Sequence, residues 1–143
     1  MSRRRLHCPS AQPDWPGAEV FAVMEGTAQA PAARYLASPV PVDDPEELAV
    51  LTAPVTPTEA VRVAAPCRTA LCGHFRDERC TLVERVVDRL PVMLTIAPTC
   101  AIRSECRWWA QEGVAACRRC PQVVTTRSTA DPAWVAVCEP PGR

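Results

Sequence analysis

Lysine is missing from this chain of 143 residues: its 16 basic side chains are all arginines, and 16 acidic side chains balance them to a formal net charge of zero. Such a balance supplies no long-range field to draw in nucleic acid, so no nucleic-acid partner is expected. The missing lysine reads as an arginine-rich coding bias. Aromatic residues are scarce, at 5%, and 16 prolines interrupt the backbone, which leaves thin material for an apolar core and calls for an added staple. Long apolar runs are lacking too. The richest, Val86 to Ala97, carries Asp88, Arg89 and Pro91 and falls short of a membrane span. The basic start Met1-Ser-Arg-Arg-Arg5 leads into no apolar segment of the kind a secretory signal needs. The expectation is a cytoplasmic protein with no membrane partner. There is no glycine-rich phosphate loop and no convincing catalytic constellation. His7 stands in a proline-rich terminus and His74 among cysteines, so no catalytic residue and no small-molecule substrate are assigned.

Cysteine, by contrast, is abundant. Of nine, seven lie between positions 67 and 120: Cys67, Cys72, Cys80, Cys100, Cys106, Cys117 and Cys120. In a reducing compartment ordinary disulfides stay open, so thiols at this density imply bound metal. The odd count also disfavours a secreted disulfide scaffold. Written as spacings, the run is C-x4-C-x7-C, a gap of nineteen residues, then C-x5-C-x10-C-x2-C-P. The two-residue gap between Cys117 and Cys120 lets both sulfurs face one centre, and Pro121 turns the chain away from it. Cys100 and Cys106 complete a set of four. Cys67, Cys72 and Cys80 form an upstream group that needs a fourth ligand, for which Cys8 and His74 are the candidates.

Zinc knuckles present ligand pairs two to four residues apart, and only one pair here has the two-residue gap. The irregular gaps suit an iron–sulfur cluster, with 4Fe-4S expected ahead of 2Fe-2S and zinc as the alternative. Four arginines between Cys100 and Cys120 (Arg103, Arg107, Arg118, Arg119) against Glu105 and Glu112 would offset the negative charge of a thiolate cluster. Trp108 and Trp109 begin a short helix beside Cys106, and adjacent indoles point about 100° apart, so one can cover a cluster while the other meets core or partner. Cys117-Arg-Arg-Cys120 also has the form of a dithiol redox motif, but the strand-like Val123-Val124-Thr125 follows it instead of preceding it.

The expected fold class is α+β. Residues 1–65 read as a small, proline-rich β subdomain behind a flexible tail, with strands at Ala18–Glu25, Arg34–Val42 and Glu59–Ala65 and an ambiguous segment at Glu46–Thr52. Pro39 and Pro41 confine the second strand to a sheet edge. Residues 66–126 read as a cysteine-rich α/loop region. There Thr81-Leu-Val-Glu84 has the form of a capping box, opening a helix with Leu82, Val83, Val86, Val87 and Leu90 on one face, which Pro91 halts. A second helix is expected over Ser104–Glu112, closed by Gly113. Gln122–Thr126 reads as extended, and residues 127–143 as a proline-rich tail holding Trp134 and Cys138.

The segment Arg103-Ser-Glu-Cys106, ten residues, Cys117-Arg-Arg-Cys120-Pro121 resembles the C-terminal iron–sulfur motif of the siderophore ferric-iron reductase family over about twenty residues. The resemblance implies that Cys106, Cys117 and Cys120 are cluster ligands. Where that family has the first cysteine of a pair this chain has Glu105, and Cys100 would take its place. More broadly, Cys67 to Thr125, with Cys72-Gly-His-Phe75 and Cys106-Arg-Trp-Trp-Ala-Gln-Glu-Gly113, is similar to small cysteine-rich bacterial proteins sometimes labelled nitrogen-fixation proteins. The combined expectation is an iron–sulfur protein acting in electron transfer or redox sensing through a protein partner. The alternatives are a structural zinc adaptor and a ferric-chelate reductase-like redox protein.

Overall fold

The computed structural model describes residues 5–26 and 31–123; the expected tail at 127–143, with Trp134 and Cys138, and most of the extended segment after Gln122 lie outside them. The architecture is α+β. Strands β1 (His7–Cys8), β2 (Glu19–Gly26), β3 (Pro31–Pro41) and β4 (Val61–Pro66) form one antiparallel sheet in the order β1-β4-β2-β3. As the proline pattern requires, β3 takes the edge, where missing backbone N–H groups leave no gap in a ladder. Between β3 and β4 run α1 (Pro45–Thr52) and the single turn α2 (Pro57–Ala60). The ambiguous segment resolves as helix because Asp44 caps it, its carboxylate accepting the Glu46 and Glu47 N–H groups at 3.0 and 3.3 Å.

The central strand β4 is buried on both faces and divides the interior. Val61, Val63 and Ala65 pack with Ala11 and Ala18, against Trp15 and Leu48. On the opposite face Ala64 joins Phe21 and Ala22 of β2 in a cluster with Leu82, Val83, Val86, Ile102, Trp108 and three cysteines. A register shift between Val20 and Ala22 marks a bulge at Phe21, and a bulge lets two consecutive residues serve one side of a sheet. Phe21 and Ala22 are accordingly both buried in that cluster. The residues of the expected β subdomain and of the cysteine-rich region therefore share one core.

After β4 come a 3-10 turn at Thr69–Leu71, the short hairpin β5 (Phe75–Arg76) and β6 (Arg79–Cys80), and α3 (Thr81–Arg89). The expected apolar face of α3 is the one turned inward: Leu82, Val83 and Val86 are buried, and Val87 and Leu90 pack beside them. Each such burial contributes about 1.5–3 kcal/mol. The capping box does not form. Cys80 occupies the N-cap, the Thr81 hydroxyl donates to the His74 carbonyl at 2.5 Å, and Glu84 pairs with Arg79 at 3.2 Å. The hairpin competes for both side chains and holds them.

The second expected helix is split. A 3-10 turn at Arg103–Glu105 gives way at Cys106, whose φ and ψ of −78° and 125° are extended, before α4 (Arg107–Glu112) begins. Gly113, at φ +66°, ends α4 and admits α5 (Val114–Cys117), followed by a 3-10 turn at Cys120–Gln122. Residues 92–97 form no regular element; Met93 and Leu94 instead donate their N–H groups to the Arg118 carbonyl. Among the described residues no helix is long and apolar enough to cross a membrane.

Candidate metal centre

Backbone pairing explains how the scattered cysteines meet. In the β1–β4 ladder Cys8 faces Ala65, and the Cys67 N–H donates to the Leu6 carbonyl at 2.8 Å, so Cys8 and Cys67 lie on adjacent strands two residues apart in register. The turn at Thr69–Leu71 reverses the chain at Cys72. The hairpin then closes through Asp77 and Glu78, both at positive φ (51° and 64°), which sets Cys80 opposite Phe75. Gln111 of α4 fixes Cys80 by taking its N–H and donating to its carbonyl, each at 2.9 Å.

Cys8, Cys67, Cys72 and Cys80 consequently line one cavity of about 240 Å³, which His74, Arg107 and Trp108 also border. Cys100, Cys106, Cys117 and Cys120 line a second, much narrower one of about 20 Å³ with Arg103 and Trp108. One water needs roughly 10–15 Å³ of such space, so the upstream cavity is roomy and the downstream one nearly closed. Trp108, 2% exposed, stands between the two. The four downstream cysteines thus border one space, and the three upstream cysteines border another together with both candidates for a fourth ligand, Cys8 and His74. Among the described residues no three His, Cys, Asp or Glu side chains are grouped closely enough to hold a single metal ion.

Backbone N–H groups point at these sulfurs. Ser10 and His74 donate to Cys8 and Cys72, each at 3.4 Å. Leu82 and Val83, at the start of α3, serve Cys80; Ile102 serves Cys100; Trp108 and Trp109, at the start of α4, serve Cys106. All eight described cysteines are free of disulfides. Burial pushes Cys8, Cys80, Cys100 and Cys117 up, and Cys106 up to about 12, against the partial opposition of those N–H groups or, at Cys117, of Arg103.

His74 is placed differently. Arg85 lies 2.8 Å from its Nδ1, and since a guanidinium has no acceptor, Nδ1 must be the acceptor and Nε2 must carry the proton. Burial and the Arg85 charge both lower its pKa, keeping the ring neutral. Its Nδ1 lone pair is occupied by Arg85 and its Nε2 is protonated.

The sequence reading missed Arg62. It is wholly buried on β4, donating to the Pro9 carbonyl from Nε and Nη2 (3.3 and 2.7 Å) and to the Cys120 carbonyl from Nη1 (2.6 Å), with its guanidinium 5.5 Å from the Phe21 ring centre. It spans from the residue after Cys8 to the last downstream cysteine. Among the described residues no carboxylate pairs with it. Burial alone would lower its pKa, but the neighbouring Cys120 and Tyr35 more than offset that and hold the charge. A charged residue inside Val61-Arg-Val-Ala-Ala65 was the available signal, because a lone charge in an apolar central strand needs a buried partner.

Three further donors near the cysteines are buried without a hydrogen-bond partner: Arg103 Nε, Arg107 Nε and Trp108 Nε1. Buried polar groups are ordinarily paired. Donors left open beside eight thiols, together with a carboxylate-free buried guanidinium, make surroundings suited to an anionic group such as a thiolate-ligated cluster. No protein-family model, curated protein or solved structure matches the chain.

Proposed function

We propose that this chain is an iron–sulfur protein in which Cys100, Cys106, Cys117 and Cys120 hold a cluster, and that it transfers single electrons or senses redox state through a protein partner in the cytoplasm. The observation that carries the reading is the charge balance. Arg62 is buried with no carboxylate paired to it among the described residues, Arg103 Nε lies unpaired beside the downstream cysteines, and an anion at that site offsets the charge of the one and accepts from the other. A 4Fe-4S cluster supplies one-electron chemistry at a potential that hydrogen bonds and burial tune. The chain's own residues orient the thiolates, exclude water with Trp108, and present a rim for contact. That rim holds Trp109, 37% exposed and 5.2 Å from the Arg103 guanidinium.

Zinc is the second reading, favoured by the narrowness of the downstream space. Against it, no three candidate ligands among the described residues are grouped for one ion, whereas a cluster takes thiolates from a wider ring. Anaerobic isolation with iron, sulfide and zinc analysis separates the two. Brown protein with thiolate-to-iron absorption and a spin-resonance signal on reduction supports the cluster, and colourless protein with stoichiometric zinc overturns it. Failure of cluster-replete protein to reduce a ferric chelate with an electron donor present excludes the reductase reading.

A further inference from the structure

We infer that the upstream cavity is a second cluster site, ligated by Cys8, Cys67, Cys72 and Cys80 and not by His74, so that the chain holds two clusters separated by Trp108. The inference rests on the iron–sulfur reading of the downstream cysteines and extends it to a second centre. Sequence alone leaves the fourth upstream ligand open between Cys8 and His74, and two observations favour Cys8, while the size and lining of the cavity favour a cluster over a single ion.

Cys8 is delivered to the cavity by the β1–β4 ladder, beside Cys67, and its sulfur already accepts the Ser10 N–H at 3.4 Å. A thiolate ligand of a cluster is stabilised by such backbone donors. His74 keeps its Nδ1 in the Arg85 hydrogen bond, 2.8 Å away. Ligation through Nε2 would require moving the proton to Nδ1, where it would confront a donor that cannot accept. The cavity itself, about 240 Å³, far exceeds what one ion with four sulfurs at roughly 2.3 Å encloses. Two donors border it without acceptors, Arg107 Nε and the indole N–H of Trp108, whose side chain is almost fully buried. They are placed to donate to an anionic occupant. Each of the four thiols gives up its proton to solvent as it ligates, and no electron changes hands in that step.

The two spaces have Trp108 in common, and Arg62 bonds to Pro9 on the upstream side and to Cys120 on the downstream side. Clusters in both would therefore be neighbours across a single indole, close enough for their electron spins to interact when both are reduced.

The test is iron and acid-labile sulfide per chain in anaerobically reconstituted full-length protein, using equal amounts of ferrous and ferric iron with sulfide, for wild type, Cys8→Ser, His74→Gln and Cys117→Ser. Wild type is expected to hold about eight iron and eight sulfide, two 4Fe-4S equivalents. Cys8→Ser should fall to about half, Cys117→Ser should lose the other half, and His74→Gln should keep the full complement. Full iron in Cys8→Ser, or a half-loss in His74→Gln, overturns the upstream assignment while leaving the downstream cluster standing. Full iron in Cys117→Ser sinks the downstream reading instead, and a wild type without iron sinks both. Because Cys8→Ser can weaken the β1–β4 edge, the spin-resonance spectrum of fully reduced wild type gives a second reading: two interacting centres broaden and split the signal, and a simple isolated-cluster spectrum at full reduction contradicts the pair.

Discussion

Replacing Arg62 with methionine tests whether a buried cation faces a negative centre, since the substitution keeps an unbranched stem and removes only charge and donors. In the metal-stripped protein two effects oppose. The Pro9 carbonyl loses both its guanidinium donors, which costs about 1–3 kcal/mol, whereas the Cys120 carbonyl keeps the Val123 N–H at 3.0 Å. Against this, the fold no longer buries an ion without a carboxylate, a relief of several kcal/mol. The stripped variant should therefore lie within ~2 kcal/mol of wild type in urea denaturation. In the loaded protein the lost attraction is not offset. At an effective dielectric of about 20 one unit charge contributes roughly 4 kcal/mol at 4 Å and half that at twice the distance. With ~1.4 kcal/mol equal to 59 mV for one electron, the downstream potential should fall by roughly 80–170 mV. The direction follows from sign: a cation favours the reduced, more negative state, so its removal makes reduction harder. Redox titration followed by spin resonance reads the shift. A change under ~30 mV, well below the smallest shift expected from that Coulomb term, or a stripped variant far less stable than wild type, would refute the view that Arg62 is there to face a bound anion.

Cys120→Ser should lose the downstream metal and loosen residues 100–123, because ligation contributes folding energy directly; metal content and amide exchange measure both. Gln111→Leu removes the two bonds that fix the Cys80 backbone and should cost about 2–3 kcal/mol, with upstream iron lost before downstream iron on titration with a chelator. In stripped protein the Cys106 thiol, pushed up to about 12 from the ordinary 9.0 by burial, stays protonated above the pH at which the unfolded thiol ionises. The unfolded chain then binds fewer protons, so stability present below pH 9 should fade as pH rises towards 12. A urea midpoint that stays level across that range contradicts it, and loaded protein, with its ligand thiols already ionised, should show no such decline.

Much of the fold was legible because its signals are local. The edge position of β3 follows from Pro39 and Pro41, the inward face of α3 from the spacing of Leu82, Val83 and Val86, and the end of α4 from Gly113. What was not legible depends on partners distant in sequence. Thr81 and Glu84 have the spacing of a capping box, but the His74 carbonyl and Arg79 compete for them, and the hairpin wins. The break at Cys106 within the expected second helix has a comparable origin: β1 reaches it, with His7 bridging to Cys106 and lying 3.7 Å from Glu105. For the site, spacing grouped the cysteines into two sets, whereas the proposal of Cys8 over His74 needed the β1–β4 register and the position of Arg85. Arg62 stood in plain view within an apolar strand, but its role needed the knowledge that Pro9 and Cys120 lie at its two ends.

These placements tie the centre to folding. Cys80, Cys106 and Cys120 belong to the same buried cluster as Phe21, Val83 and Trp108, with Cys100 packed against it, so the sulfurs proposed as ligands are core atoms as well. Without an anion that core contains, among the described residues, a guanidinium with no paired carboxylate and three donors with no acceptors. Open donors cost about 1–3 kcal/mol each, which set against a total stability on the order of 5–15 kcal/mol leaves little margin in a chain so poor in aromatic residues. Filling the sites removes those costs together. Under the proposed reading binding and folding are one equilibrium, and the bound anion supplies the stability that few aromatics and many prolines leave short in the interior on both faces of β4.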